Sequence, residues 1–158
     1  MCMNFIVKTF SDLNTTELYE ILQLRSEIFV VEQECVYQDI DFKDQNALHV
    51  FSRKNNKIIT YTRIFKPGDY FKNASIGRVL VLASERKFGF GHGLMKASIA
   101  TIKTYFNSDT ITISAQKYLK KFYEAHHFTQ VGEAYLEDGI PHIEMLYEIK
   151  KISSKILK

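Results

Sequence analysis

The stretch "RKFGFGHGL", residues 86–94, holds three of the chain's seven glycines at alternate positions, beside Arg86, Lys87 and His92. Glycine is conformationally costly inside a helix or strand, so this density marks a special backbone. The run before it, "SIGRVLVL" (75–82), ends in near-continuous apolar residues. After it, Leu94, Met95, Ile99, Ile102 and Phe106 recur at the spacing of a helix. The glycines therefore stand where a strand ends and a helix begins. Backbone N–H groups at a helix start lack intrahelical partners, and the helix dipole adds partial positive charge there. Successive N–H groups in a glycine-rich turn form an anion-binding nest. With Arg86, Lys87 and His92 adding charge, the segment predicts a phosphate or pyrophosphate site.

Two common phosphate fingerprints do not fit. A P-loop needs G-x-x-x-x-G-K-[ST], which is absent here. A dinucleotide turn needs G-x-G-x-x-G, whereas Gly89, Gly91 and Gly93 give G-x-G-x-G. Its partner acid should follow the next strand, yet Asp109 precedes "TITISA" (110–115).

The 158 residues suffice for one domain with a real core. Residues 1–149 are read as that domain and 150–158, with four lysines, as a basic tail. A net charge of +3 suits an anionic ligand without requiring nucleic acid. Cys2 and Cys35 make no disulfide framework, so a reducing cytoplasm is the expectation. No apolar run approaches ~20 residues, so no membrane helix is expected.

Further elements follow from pattern. Residues 3–10 alternate as a strand. Asn14 caps a helix, with Glu17 completing a capping box, and Leu18, Ile21, Leu22, Arg25 and Phe29 follow its period. The acid-rich run 30–47 reads as a loop or short turn near the surface. Residues 48–54 and 57–66 form a hairpin about Asn55-Asn56. The apolar tail of 75–82 predicts a strand buried on both faces. Strand "TITISAQ" (110–116) precedes a helix over 117–127, and Asp138-Gly139 turns a terminal hairpin. The order β-α-β-β-β-α-β-α-β-β predicts an α/β (α+β) fold, a mixed and mostly antiparallel sheet with helices on both faces.

Residues Arg86-Lys87-Phe88-Gly89-Phe90-Gly91 read as R-x-x-G-x-G. This resembles the acetyl-CoA loop of the GCN5-related N-acetyltransferases (GNAT), whose element order is the same. "KKFYEAHHF" (120–128) resembles the family's FYxxxGF segment, with His127 where glycine is usual. "LQLRSEIFVVEQECVYQDID" (22–41) and "EDGIPHIEM" (137–145) resemble its ElaA-like branch. The resemblance implies direct acetyl transfer from acetyl-CoA, a co-substrate, to an amine. No metal is expected, because the spacings of the five histidines fit no compact ligand set and Cys2 and Cys35 are far apart in sequence. It assigns Val79, Leu80 and Val81 to the pantetheine arm. Arg86, Lys87, Phe88, Gly89, Phe90, Gly91 and His92 go to the pyrophosphate, with Gln116 and Phe122 also against the cofactor. Tyr123 becomes the proton donor to the leaving thiolate. Spacing alone would make Tyr123 core, on one stripe with Leu119 and Phe122.

The acceptor side is read from charge. Arg63 and Arg78 interrupt apolar strands, where a charge should be paired, ligand-facing or at an edge. With Asp39, Asp41, His49 and Glu144 they are candidates to line a pocket for a small cationic amine. His142 is the first candidate base and Glu32 the second. The competing reading of the acids is that they pair with Arg25, Arg63 and Arg78. A non-catalytic acyl-CoA-binding or sensing protein is the alternative function. Nucleic-acid binding would leave the glycine loop unexplained. A homodimer, paired through an edge strand or the terminal hairpin, is a further expectation of the resemblance.

Overall fold

A computed structural model describes residues 3–149; Cys2 and the tail 150–158 lie outside the described residues. Among the described residues, seven strands make one sheet in the order β1-β2-β3-β4-β5-β7-β6. They are β1 (Phe5–Thr9), β2 (Leu48–Lys54), β3 (Lys57–Phe65), β4 (Ala74–Val81), β5 (Thr110–Gln116), β6 (Thr129–Glu137) and β7 (Ile140–Glu148). Only β4 and β5 pair in parallel; the other neighbours are antiparallel. The helices are α1 (Thr15–Arg25), α2 (Phe90–Phe106) and α3 (Lys120–Glu124).

Local chemistry explains the boundaries. The Asn14 side chain accepts from the Glu17 N–H at 2.8 Å, and Glu17 reaches back to the Asn14 N–H. Asn55 (φ 50°) with Asn56 (φ 62°), and Asp138 (φ 49°) with Gly139 (φ 77°), make the two tight hairpins. After α1 the helix loosens into a π-helical stretch, Ser26–Glu32. The third helix is shorter than its pattern suggests. Residues Lys117–Leu119 form a 3-10 turn, and His127, at φ 66°, ends the element in the left-handed region.

Two apolar layers form on opposite faces of the sheet. On one, Leu94, Met95 and Ile102 of α2 pack against Val50, Ile64, Ala74, Ile76, Ile111 and Ile113. On the other, Ile21, Leu24 and Ile28 pack against Phe51, Ile58, Tyr61 and Leu80. This second layer stops at β4. Beyond it, the strands show that face polar residues: Ser75, Thr112, Ser114, Gln116, His142 and Glu144.

Strand β4 carries the irregularity that matters most. Tyr61 opposes Leu80 but Arg63 opposes Gly77, so β4 holds one extra residue there. Arg78 sits in this bulge at φ 52°. Alternation is thereby reset. Before the bulge Ala74 and Ile76 face α2; after it Val79 joins the α2 layer and Leu80 the α1 layer. The strand is not buried on both faces as expected, since Val79 and Val81 are only half-buried. Its pairing with β5 explains why. The two strands meet at Ala74–Ile111 and Ser75–Thr112 and then part. One edge of β4, from Ile76 onward, is left facing open space.

Candidate active site

The parted strands form the wall of a cavity of about 710 Å³. It runs from the glycine segment, past the free edge of β4, to the β6–β7 hairpin. Of the residues singled out in the sequence, Val79, Leu80, Val81, Arg86, Gly89, Gly91, His92, Gln116 and Phe122 line it. So do Tyr123, His142, Glu32, Arg63 and Arg78. Thus the strand end, the helix start and α3 converge on one space although they are far apart in sequence.

At the glycine end, a 3-10 turn (Ala83–Phe88) closes with Gly89 at φ 73°. Gly89 is also the N-cap of α2 and supplies no side-chain cap, so the first amides of α2 have none from their own N-cap. Gly91 admits close approach for another reason: a Cβ there would lie 3.5 Å from the Phe122 ring and 3.6 Å from Val81. Arg86 donates from Nε to the Val81 carbonyl at 3.0 Å and grips Glu32 with both terminal nitrogens, at 2.6 and 3.0 Å. His92 Nδ1 lies 2.9 Å from His126 Nε2, so one ring donates and the other accepts. Burial, then the neighbouring His92 and Lys96 charges, lowers the pKa of His126. Lys87, Phe88 and Phe90 fall outside the lining. Phe88 is exposed, with the Lys54 and Lys87 ammonium groups 4.8 and 5.2 Å from its ring centroid.

Tyr123 is buried, in edge contact with the rings of Phe122 and Phe128. Burial pushes its pKa up, so the hydroxyl holds its proton throughout the neutral range. Across the cavity, His142 Nδ1 donates to the Ile140 carbonyl at 2.8 Å. In a neutral ring that bond places the hydrogen on Nδ1 and the lone pair on Nε2.

The predicted acidic wall has a different arrangement. Asp39 and Asp44 are buried, not near the surface, because arginines surround them. Arg25 donates to Asp39 (2.9 Å) and Asp44 (2.8 Å). Arg63 donates to Asp44 (2.9 Å) and twice to Asp41 (2.6 and 2.8 Å), and Arg78 to Asp39 (2.6 Å). Three guanidiniums thus balance three carboxylates. Burial opposes the Asp41 charge, but the Arg63 bonds prevail and hold its pKa down to about 2. Asp39 and Asp41 do not line the cavity, contrary to expectation. Nor does His49, which is fully buried. Its Nε2 donates to the Asp44 carbonyl (3.0 Å) and its Nδ1 accepts from Tyr61 (2.8 Å). Glu144, half-buried, is also outside the lining; it lies beyond His142 on the same face of β7 and opposite Ser114.

Several lining residues were missed in the sequence: Gln33, Tyr37, Phe65, Tyr70, Ser75, Ser114 and Glu137. A signal existed for Ser114. The alternation Thr112, Ser114, Gln116 against Ile111, Ile113, Ala115 announces a strand with one uncovered face. Glu137 accepts from the Ser114 hydroxyl at 2.7 Å, and Gln33 meets Gln116 at 3.0 Å.

Comparison with known proteins gives a consistent neighbourhood. Residues 13–149 match the model of the acetyltransferase (GNAT) domain. A UPF0039 protein of Schizosaccharomyces pombe is 40% identical over 149 residues, 93% of this chain and 98% of that one. Protein ElaA of Escherichia coli is 40% identical over 141 residues, 88% of this chain and 92% of ElaA. The ElaA crystal structure superimposes with a TM-score of 0.86 over 93% of this chain and all of that one (100%). An acyl-CoA N-acyltransferase from Pseudomonas aeruginosa, 36% identical, gives 0.83 over 91% of this chain and 99% of its own.

Proposed function

The chain belongs to the GNAT acyltransferase family, and from that premise we propose that it moves an acetyl group from acetyl-CoA to a small cationic amine. One observation carries the reading. The gap between β4 and β5 opens directly onto the glycine turn at the start of α2, and the protonated Tyr123 hydroxyl shares that cavity.

The residues present fit the donor. The free edge of β4 at Val79–Val81 offers backbone groups to an extended amide-bearing arm, which would complete the interrupted ladder. The α2 amides, with Arg86 and His92, offer donors to a pyrophosphate. Lys87, Phe88 and Phe90 stand outside the cavity and would serve the part of the donor nearest solvent. Gln116 and Phe122 bound the arm from the other side.

The chemistry then needs two proton movements. An alkylammonium with a pKa near ~10 is about one part in a thousand free amine at pH 7. His142, through Nε2, accepts the proton that the attacking nitrogen gives up. As the nitrogen–carbon bond forms and the carbon–sulfur bond breaks, Tyr123 protonates the departing sulfur. Glu32 is the second candidate base, and its pairing with Arg86 must loosen for that role. With Asp39 and Asp41 neutralised by arginines, attraction for a cation rests on Glu137, Asp138 and Glu144 near the hairpin.

The test is release of free thiol from acetyl-CoA across a panel of amines, for the wild type and Tyr123→Phe. The wild type should turn over. The variant should bind CoA unchanged yet lose ~10²- to 10⁴-fold in turnover. Binding without turnover would assign the chain to the sensing alternative, and full activity in Tyr123→Phe would return that residue to the core.

A further inference from the structure

The acceptor end of the cavity contains two polar groups that the protein leaves unused. Arg63 is 2% exposed, and its terminal nitrogens are committed to Asp41 and Asp44. Its Nε–H is buried and has no partner among the described residues. The Ser75 hydroxyl is likewise buried without a partner among them, in a residue also 2% exposed. Both residues line the cavity. A buried donor without an acceptor is costly, and two in residues that line one cavity call for an explanation.

Register brings them together. In the β3–β4 ladder Arg63 opposes Gly77 and Phe65 opposes Ser75. All four residues therefore project from the same face, with Gly77 beside Arg63 and two positions along from Ser75. A Cβ at Gly77 would meet no atom within 4 Å. There is thus open space over Gly77 on the face that carries Arg63 and Ser75, whose unpartnered atoms are themselves covered. Both can donate, and the guanidinium cannot accept.

Building on the transferase reading, we propose that the acceptor amine also carries a carbonyl-type oxygen, of a carboxylate or a carboxamide, that sits over Gly77 and accepts from Arg63 Nε and the Ser75 hydroxyl once those side chains shift to uncover them. The nitrogen of such a molecule would lie toward His142, Glu137 and Glu144, and its oxygen toward β3 and β4. The acceptor class is an amine bearing an oxygen acceptor close to its nitrogen. A simple alkyl amine leaves both donors unmet. Enzymes whose sites are built to hydrogen-bond a substrate group discriminate strongly against analogues that lack it.

The experiment uses the full chain, acetyl-CoA and matched amine trios: an α-amino acid, its carboxamide, and the amine left when the carboxyl group is removed. Leucine, leucinamide and isopentylamine form one trio; sets with aromatic and basic side chains form the others. In the wild type, kcat/KM for an oxygen-bearing member should exceed that for the plain amine by at least about tenfold. Comparison of acid with amide tells which oxygen is used. Ser75→Ala should erase about three- to tenfold of the preference without lowering the melting temperature. Gly77→Ala, whose methyl group occupies the space without strain, should abolish the preference and spare the plain amine. Equal use of all three members by the wild type overturns the inference. So does an equal loss on all three in both variants, which would mean that the two groups hold water or shape the wall. Failure of every amine, with acetyl-CoA still bound, would instead remove the transferase reading beneath it.

Discussion

Asp44 is the residue on which the buried charge network turns. Its Oδ1 accepts from Arg25 at 2.8 Å and from Arg63 at 2.9 Å, and its side chain is 6% exposed. Replacing it with alanine leaves three guanidiniums facing two carboxylates inside the protein. Breaking a buried pair by removing one partner costs about 3–5 kcal/mol, because a charge stays behind without compensation. In a chain of this size each kcal/mol lowers the melting temperature by about 2–4 °C, so Asp44→Ala should melt ~6–20 °C lower. Asp44→Asn keeps an acceptor oxygen in place and should lose less. The double variant Arg25→Met, Asp44→Leu is the decisive comparison. It leaves Arg63 with Asp41 and Arg78 with Asp39, so the charges balance again, and apolar replacement of a buried pair is often near neutral. The double variant should therefore recover most of the loss. Urea unfolding of the three proteins provides the measurement. An Asp44→Ala penalty under ~1 kcal/mol, or a double variant no more stable than Asp44→Ala, would refute the view that this network is dry and charge-balanced.

Other consequences can be checked alongside. Gly89, at φ 73°, should resist a side chain: Gly89→Ala should cost about 1–2 kcal/mol. Gly91→Ala places its methyl group at ordinary contact distance and should leave stability unchanged or slightly raised; equal penalties at both sites would contradict the loop geometry. Asp41, with its folded pKa held at about 2, contributes stability that is complete above its unfolded value near ~3.9 and is lost as pH falls from there through about 2. Across that window the urea midpoint of Asp41→Asn should fall less steeply than that of the wild type, and parallel curves would count against the Arg63 pairing.

The fold was legible wherever local chemistry set it. Asn14 with Glu17, Asn55 with Asn56 and Asp138 with Gly139 each satisfy backbone groups within a few residues, so their signals are short and unambiguous. His127 adopts the left-handed conformation because its backbone, not its side chain, closes the turn, with N–H donation to Glu124 at 2.9 Å. What stayed hidden depends on contacts between distant segments. The parting of β4 and β5 leaves no mark in either strand, since the apolar tail of one and the alternation of the other are both ordinary strand patterns. The acids of 39–44 could be read either as a wall for a cation or as partners of Arg25, Arg63 and Arg78, and only the arrival of those arginines from three other elements decides for pairing. A run of charges carries no information about its partners, so a wall of carboxylates and a neutral network read alike. The converging site followed the same division: the glycine turn was visible locally, whereas Ser75 and Gly77 gain meaning only from facing Arg63 across the ladder.

The single surplus residue at Arg78 has an evolutionary side. Bulges are ordinarily the places where a strand can lose a residue and become more regular. Here a one-residue deletion would restore an unbroken ladder between β3 and β4, and with it the uniform alternation that the rest of the sheet obeys. Val79, Leu80 and Val81 would keep their faces, because the ladder is in phase on both sides of the bulge, but the residue lost would be Arg78, which lines the cavity and holds Asp39. The edit that tidies the sheet is the one that strips an arginine from the buried charge network and flattens the wall of the cavity. A shortening of this strand would thus exchange charge balance for regularity, and the length of the segment from Ala74 to Leu82 is the trait on which selection for this site would act.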